Sequence, residues 1–313
     1  MIILDGAMAM NRVLWANADD IIENPNFITH LVLSQITYLS KKFGASKQNP
    51  FVIALEGKNN WRKKYYLDNR DGIPRLEEQQ YKGNRTKDTK FDWDAIYSCY
   101  NSVMESLKNY SDMYVIQIDE AEGDDVIACL TKHFKDKETI YILSSDKDFV
   151  QLQDKNKVLI YDQHKQIFKP QIDVQLFKKI HTMIGDKSDN ILAIRPRLGE
   201  KTAIKILSEL DDLLSTDPLM KKHWDFNQNL VDFDYIPLEI YNSIIEEFNN
   251  QSFSYNGMKL MSDFVKFNLV KHSEDINNFK LDDKKIETKM TSSIDEKKKN
   301  EDIEESNIEN FFS

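Results

Sequence analysis

Cysteine is almost absent: 2 residues in a chain of 313, Cys99 and Cys129. They form no CxxC pair and no metal-finger spacing. That excludes a disulfide scaffold and a cysteine zinc site, and leaves both as reduced thiols filling a core. Glycine (9) and proline (7) are few as well, too few for a collagen-like chain or a repeat-rich all-β chain. No apolar run approaches the ~18 residues that a membrane-spanning helix needs. The opening Met1-Ile2-Ile3-Leu4 is broken by Asp5 and has no basic segment before it, so it does not read as a signal peptide. A cytoplasmic protein without membrane contact is expected. Positive charge is in deficit too: 42 Lys and Arg against 52 Asp and Glu give a net charge of −10. A globally basic nucleic-acid binder is excluded, and any nucleic-acid surface must be local.

Apolar residues, by contrast, make up 41% of the chain, enough for one large or two modest domains. Short runs at 1–4, 51–55, 114–118, 139–143 and 158–161 read as buried parallel strands. Ile28, Val32, Ile36, Leu39 and Phe43 mark one helical face between the first two runs. Val126, Ile127, Leu130 and Phe134 mark another after the third. Strand–helix alternation predicts an α/β fold with a mostly parallel central sheet flanked by helices, over residues 1–172. Residues 173–279 read as mainly helical, with 174–184, 200–210 and 238–248 the clearest pieces. Residues 280–313 carry 17 charges (7 basic, 10 acidic) and no glycine or proline, the composition of a disordered tail.

The acids fall where such a sheet opens. Asp5 follows the first strand and Glu56 the second. Glu122, Asp124 and Asp125 lie past the third, and Asp146 and Asp148 past the fourth. The C-terminal ends of parallel strands line the binding crevice, so four strands deliver carboxylates to one edge. Such a set ionises together only when cations neutralise it. Hard divalent ions with oxygen ligands do so, and two of them about 4 Å apart can activate a water and stabilise the leaving oxygen of a phosphodiester. Taken singly, Asp124 or Asp125 reads equally well as a helix cap, and Asp146-Lys147-Asp148 as an ordinary turn. It is the joint pattern that points to metal-assisted phosphodiester hydrolysis.

Residues 58–90 carry ten basic side chains against five acids, with Trp61, Tyr65, Tyr66 and Tyr81 interleaved. Cations suit phosphates and aromatic faces suit unpaired bases, so this stretch reads as a single-strand contact standing over the cleft. A solvated charged helix is the plainer alternative. Further on, Asp186 and Asp189 are spaced to share one face of a helical turn. Residues 194–203 read as a tight turn opening a helix, whose backbone amides, with Lys201 and Thr202, can hold a phosphate. A simple helix–turn–helix packing unit fits that segment too.

Taken together, the motifs resemble the flap endonuclease / 5′-nuclease family, and within it the ribonuclease H branch of T-even-type bacteriophages. They are Ile3-Leu4-Asp5, Trp61-Arg62-Lys63, Tyr81-Lys82-Gly83-Asn84-Arg85, Glu122-Gly123-Asp124-Asp125, Ser144-Ser145-Asp146-Lys147-Asp148, Gly185-Asp186-Lys187-Ser188-Asp189-Asn190 and Leu230-Val231-Asp232-Phe233. The resemblance implies a 5′→3′ exonuclease and flap endonuclease with ribonuclease H activity in phage DNA replication. It further implies a helical arch at about 58–90, a helix–hairpin–helix element, and two Mg²⁺ ions with Mn²⁺ as a substitute. Asp5, Glu56, Asp125 and Asp146 match an inner metal site, with Glu122 beside them. Asp148, Asp186 and Asp189 match an outer one, and Asp124 stands at a variable position. Lys82 and Arg62 match cations that hold the scissile phosphate. Lys63, Lys64, Tyr81, Arg85 and Lys187 join the DNA contacts, and Gly199, Lys201 and Thr202 match the duplex grip. Three departures stand out. Glu56 replaces the usual Asp, the hairpin lacks its first glycine, and the span from Trp61 to Lys82 is long.

The tail ends with Ile308, Phe311 and Phe312, which one helical turn brings to one side. That pattern resembles a sliding-clamp-binding peptide. A single-stranded-DNA-binding protein is a second candidate partner, and incidental hydrophobics in a tail are the plain alternative. The substrates implied are DNA and RNA–DNA duplexes with a 5′ end or flap, acted on by a monomer. Two rivals remain: a PIN-type ribonuclease and a non-catalytic, structure-specific DNA-binding protein.

Overall fold

The computed structural model describes residues 1–73 and 79–283. Strands β1 (Ile2–Asp5), β2 (Phe51–Leu55), β3 (Tyr114–Gln117), β4 (Ile140–Leu143), β5 (Val158–Asp162) and β6 (Ile167–Phe168) form one sheet. Its order is β3-β2-β1-β4-β5-β6. All pairings are parallel except the antiparallel β5–β6 edge. The fold is thus α/β with a mostly parallel sheet. β6 is too short, at two residues, to show a period in the sequence. The chain winds outward from β1 to β3, then crosses back to β4. That reversal leaves a crevice at the carboxyl ends of β1 and β4.

Alternation along the strands splits the core in two. Ile2, Leu4, Phe51, Ile53 and Leu55 face the helices Gly6–Ala16, Phe27–Lys42 and Trp93–Tyr110. Ile3, Val52, Ala54 and Ile142 face Gly123–Phe134 and Leu238–Asn250. Both faces are covered, which is why the strands read as unbroken apolar runs rather than alternating ones.

The helix Val174–Ile184 falls where expected, but the helix expected over 200–210 is broken. Glu200–Ile206, a 3₁₀ turn Leu207–Glu209 and Leu210–Thr216 follow one another. The tighter turn lets both Ala203 and Leu210 reach the small core of Ile180, Met183, Ile194, Leu198 and Trp224. The sequence did not single out Pro218–Val231, which has Pro218 in its first turn behind the N-cap Asp217. In the segment 58–90, the described residues hold one helix, Trp61–Asn69, and the stretch 79–92 runs mostly as turns and irregular chain. Ile308, Phe311 and Phe312 lie outside the described residues. Among those described, no helix is long and apolar enough to cross a membrane.

Candidate metal centre and nucleic-acid face

Asp5 ends β1 and caps the next helix. One oxygen accepts the Met8 amide at 2.9 Å and the other the Ser144 hydroxyl at 2.7 Å. Ser144 follows β4 directly, and its hydroxyl oxygen also accepts the Asp146 amide at 3.1 Å. The Asp148 amide donates in turn to Asp146 at 2.9 Å. One short loop therefore carries two acids and orients a third. The Lys169 ammonium pins the same loop through the Ser145 carbonyl at 2.9 Å. Glu56 follows β2, where Gly57 lets the chain press on the end of β3. A Cβ at Gly57 would stand 2.0 Å from the Ile118 carbonyl oxygen.

Glu122 caps the helix Gly123–Phe134 in a reciprocal capping box with Asp125. The resemblance puts Asp125 at the inner metal site and Asp124 at a variable position. The structure turns Asp125 inward and Asp124 toward the cleft. Asp125 is fully buried, its oxygens taken by Arg62 at 2.7 Å, the Trp61 indole at 3.0 Å and the Glu122 amide at 2.9 Å. Asp124 faces the cleft with Glu122, Asp148, Asp186 and Asp189 around a space of about 20 Å³, room for one water or ion.

The electrostatics describe a crowded acidic pocket. Burial, with the Asp146 charge adding, raises the Asp5 carboxyl to about 6. Burial and the charges of Asp146, Asp5 and Glu56 hold Asp124 well above its ordinary value. Glu56 stays exposed at the rim. The surrounding protein atoms and the Glu122 charge push it up as well. Burial lifts Asp148 to about 7 against the pull of His181. Four strand ends thus bring Asp5, Glu56, Asp124 and Asp146 within mutual electrostatic reach.

A second set lies alongside. One ligand atom each from Asp148, His181 and Asp186 falls within 4.8 Å of the others. The His181 Nε2 is 3.9 Å from Asp148 and 3.7 Å from Asp186, and ligands about 2.1 Å from one ion sit about 3–4 Å apart. Burial raises Asp186, but the neighbouring His181 and the hydrogen bonds from the Ser188 amide and hydroxyl outweigh it and hold the group below the usual carboxylate range. Sequence patterns alone miss His181. Its only signal is a titratable residue just ahead of Gly185-Asp186. Oxygen donors with one imidazole suit hard divalent ions such as Mg²⁺ and Mn²⁺ and admit borderline ones such as Zn²⁺.

Glu122 and Asp189 line the same space and are paired with cations. Glu122 accepts from Lys82, Asn60, Tyr81 and Arg62. Those donors outweigh its burial and keep it ionised. Asp189 pairs with Arg85, and Lys82 stands 3.8 Å away. Lys82 is partly buried, yet the Glu122 and Asp189 charges keep it protonated.

The resemblance implies nucleic-acid contacts for Arg62 and Tyr81. Arg62 instead lies 2% exposed, bridging Glu122, Asp125 and the Leu230 carbonyl. Tyr66 and Tyr81 pack on Ile73, Ile191, Phe226 and Leu230, so neither ring is free to stack on a base. The helix Pro218–Val231 supplies that apolar face. Lys63, Lys64, Lys187, Gly199, Lys201 and Thr202 are exposed on the surface. Gly199 meets no steric need for glycine, since nothing lies within 4 Å of an added Cβ.

Residues 1–179 match the family model of the 5′-3′ exonuclease N-terminal resolvase-like domain, and 201–279 match the T4 RNase H C-terminal model. The ribonuclease H of Enterobacteria phage T4 is 29% identical over 283 residues, spanning 82% of this chain and 88% of that protein. The flap endonuclease Xni of Shewanella denitrificans is 26% identical over 223 residues, spanning 68% and 79%. A bacteriophage T5 D15 flap endonuclease in complex with DNA and metal ions shares the fold. Its TM-score is 0.54 at 16% identity, over 86% of this chain and 98% of that one. Fold, strand-end acids and family models agree, and the chain belongs to the 5′-3′ exonuclease family.

Proposed function

We propose that the protein is a divalent-metal-dependent 5′→3′ exonuclease and flap endonuclease that removes RNA primers and 5′ flaps, using two Mg²⁺ ions that Mn²⁺ can replace. The observation that carries this reading is the crowd of strand-end carboxylates, several raised above their ordinary values by burial and by one another's charge. When bound, the ions would supply the charge neutralisation and Lewis acidity that phosphodiester hydrolysis requires. Asp5, Glu56, Asp124 and Asp146 would hold one ion, and Asp148, His181 and Asp186 the other.

The remaining residues position and attract. Lys82, kept charged between Glu122 and Asp189, presents a cation at the mouth of the cleft to a phosphate. Arg62 holds Glu122 and Asp125 from beneath, and so fixes the start of the helix bearing Asp124. Arg85, Lys63, Lys64 and Lys187 add positive charge along the route of a strand. Gly199, Lys201 and Thr202 face a duplex downstream. The domain division 1–172, 173–279 and 280–313 belongs to this reading. So do a monomeric state, action in the host cytoplasm, and docking of Ile308, Phe311 and Phe312 on a sliding clamp, with a single-stranded-DNA-binding protein as the other candidate.

The decisive assay is cleavage of 5′-flap duplexes carrying RNA or DNA 5′ strands, with and without Mg²⁺. Wild-type protein cleaves only with the metal. Asp146→Asn lowers cleavage by at least about 10²-fold, while duplex affinity by fluorescence anisotropy stays within about 2-fold. An active variant would overturn the site, and a metal-independent or inert wild type would leave a binding protein.

A further inference from the structure

The strand leading to the metal cleft needs a path, and of the rings expected to line it at 58–90, Tyr66 and Tyr81 are buried while Trp61 and Tyr65 are half-buried. A different set is open. Trp15, Trp93 and Tyr97, with Asn11, Thr86, Lys87 and Asp88, line a surface cleft of about 430 Å³. Small-ligand clefts are commonly about 300–1,000 Å³. Trp15 is 53% exposed and Tyr97 37%. Phe91 links the two walls, edge-on to Trp15 at 5.4 Å and to Trp93 at 5.4 Å.

Two lysines sit on these rings. The Lys87 ammonium is 5.1 Å from the Tyr97 centroid and 5.8 Å from that of Trp93, and Lys90 is 4.8 Å from Trp15. A packing cluster would bury its rings, whereas this one leaves faces open beside two cations in an acidic protein. One helix connects this cleft to the catalytic edge through buried contacts. Trp93, Tyr97 and Tyr100 lie on one face of the helix Trp93–Tyr110. The Tyr100 hydroxyl donates to the Gly6 carbonyl at 3.2 Å, next to Asp5. Seven residues of helix rise about 10 Å, the length of about three bases stacked 3.4 Å apart.

We infer that the Trp15–Trp93–Tyr97 cleft is a stacking subsite for unpaired bases of a single-stranded 5′ tail, with Lys87 and Lys90 placed for the adjoining phosphates. Base–aromatic stacking tolerates any sequence, as a processing enzyme requires. The inference rests on the nuclease reading and specifies how its substrate is held.

The test compares binding of two duplexes, one with a five-nucleotide 5′ tail and one with a flush nick, by anisotropy without divalent metal. Trp15→Ala and Tyr97→Ala weaken the tailed duplex on the order of 10-fold and shrink its advantage over the nicked one. Trp15→Phe restores most of it. Both targets are exposed, and circular dichroism confirms folding. Equal losses on both duplexes, or no loss, would overturn the subsite. A wild type that cleaves flaps while these variants bind tails normally refutes this inference alone. A wild type that binds tails through these rings yet never cleaves refutes only the nuclease reading. If a peptide rather than an oligonucleotide quenches the cleft tryptophans, the occupant is a protein and the inference fails.

Discussion

An α-helix turns successive side chains by about 100°, so Asp124 and Asp125 cannot both look into the cleft. Asp125 turns inward to Arg62 and the capping box, and Asp124 turns to the other acids. Their substitutions should therefore diverge. Asp124→Asn removes like-charge crowding, so the metal-free protein keeps or gains thermal stability while Mn²⁺ affinity by calorimetry drops. Asp125→Asn strips a buried partner from Arg62 and should cost about 3–5 kcal/mol in chemical denaturation. If Asp125→Asn instead spares stability and abolishes metal binding, then Asp125 is the acid that faces the cleft. No single-sequence signal distinguishes the two, because both are acids in a first turn where acids are favoured anyway.

At the scale of elements, the turn from Val174–Ile184 into Asp186 depends on Gly185. Its φ is +66°, and a Cβ there would stand 2.5 Å from the Ile191 carbonyl oxygen. Gly185→Ala should destabilise by roughly 2 kcal/mol or more and displace Asp186 from Asp148 and His181. Gly199, four residues past Arg195, caps Glu200–Ile206 in extended geometry with open space around it. Gly199→Ala should cost less than about 1 kcal/mol. Urea midpoints of the two variants check the contrast. The Gly185 turn was legible as a motif. The break after Ile206 was not, since local apolar spacing continues through it and only the packing of Leu210 reveals it.

At the scale of the molecule, the proposed function makes proton and metal compete for one acidic cleft. Asp5, near 6, and Asp148, near 7, keep protons that an unfolded chain releases near pH 4. Groups raised in this way lose stability for the folded state as pH climbs from about 4 to 7. His181, raised by Asp148 and Asp186 against its burial, adds to the same trend. His30, His133 and His272 are lowered by burial and act oppositely. They lie outside the cleft, so the difference between metal-loaded and metal-free protein isolates the acids. The rise in melting temperature on adding Mg²⁺ should be small near pH 5 and widen to several degrees by pH 8, with protons released on binding. A gap independent of pH would contradict the shared cleft.

The −10 charge of the chain now has a location. Much of it lies in the acidic cleft and in the acidic sequence past residue 280. The sequence by itself determined the parallel sheet and the acids at its edge. Each depends on a run of about five residues and on the few residues after that run, which is local information. Only tertiary structure decided that Arg62 and Tyr81 lie inside, that His181 joins Asp148 and Asp186, and that Trp15, Trp93 and Tyr97 share one surface cleft. Those outcomes rest on contacts between residues up to 168 positions apart, such as Arg62 with the Leu230 carbonyl, and no local pattern encodes which buried face a distant helix will cover.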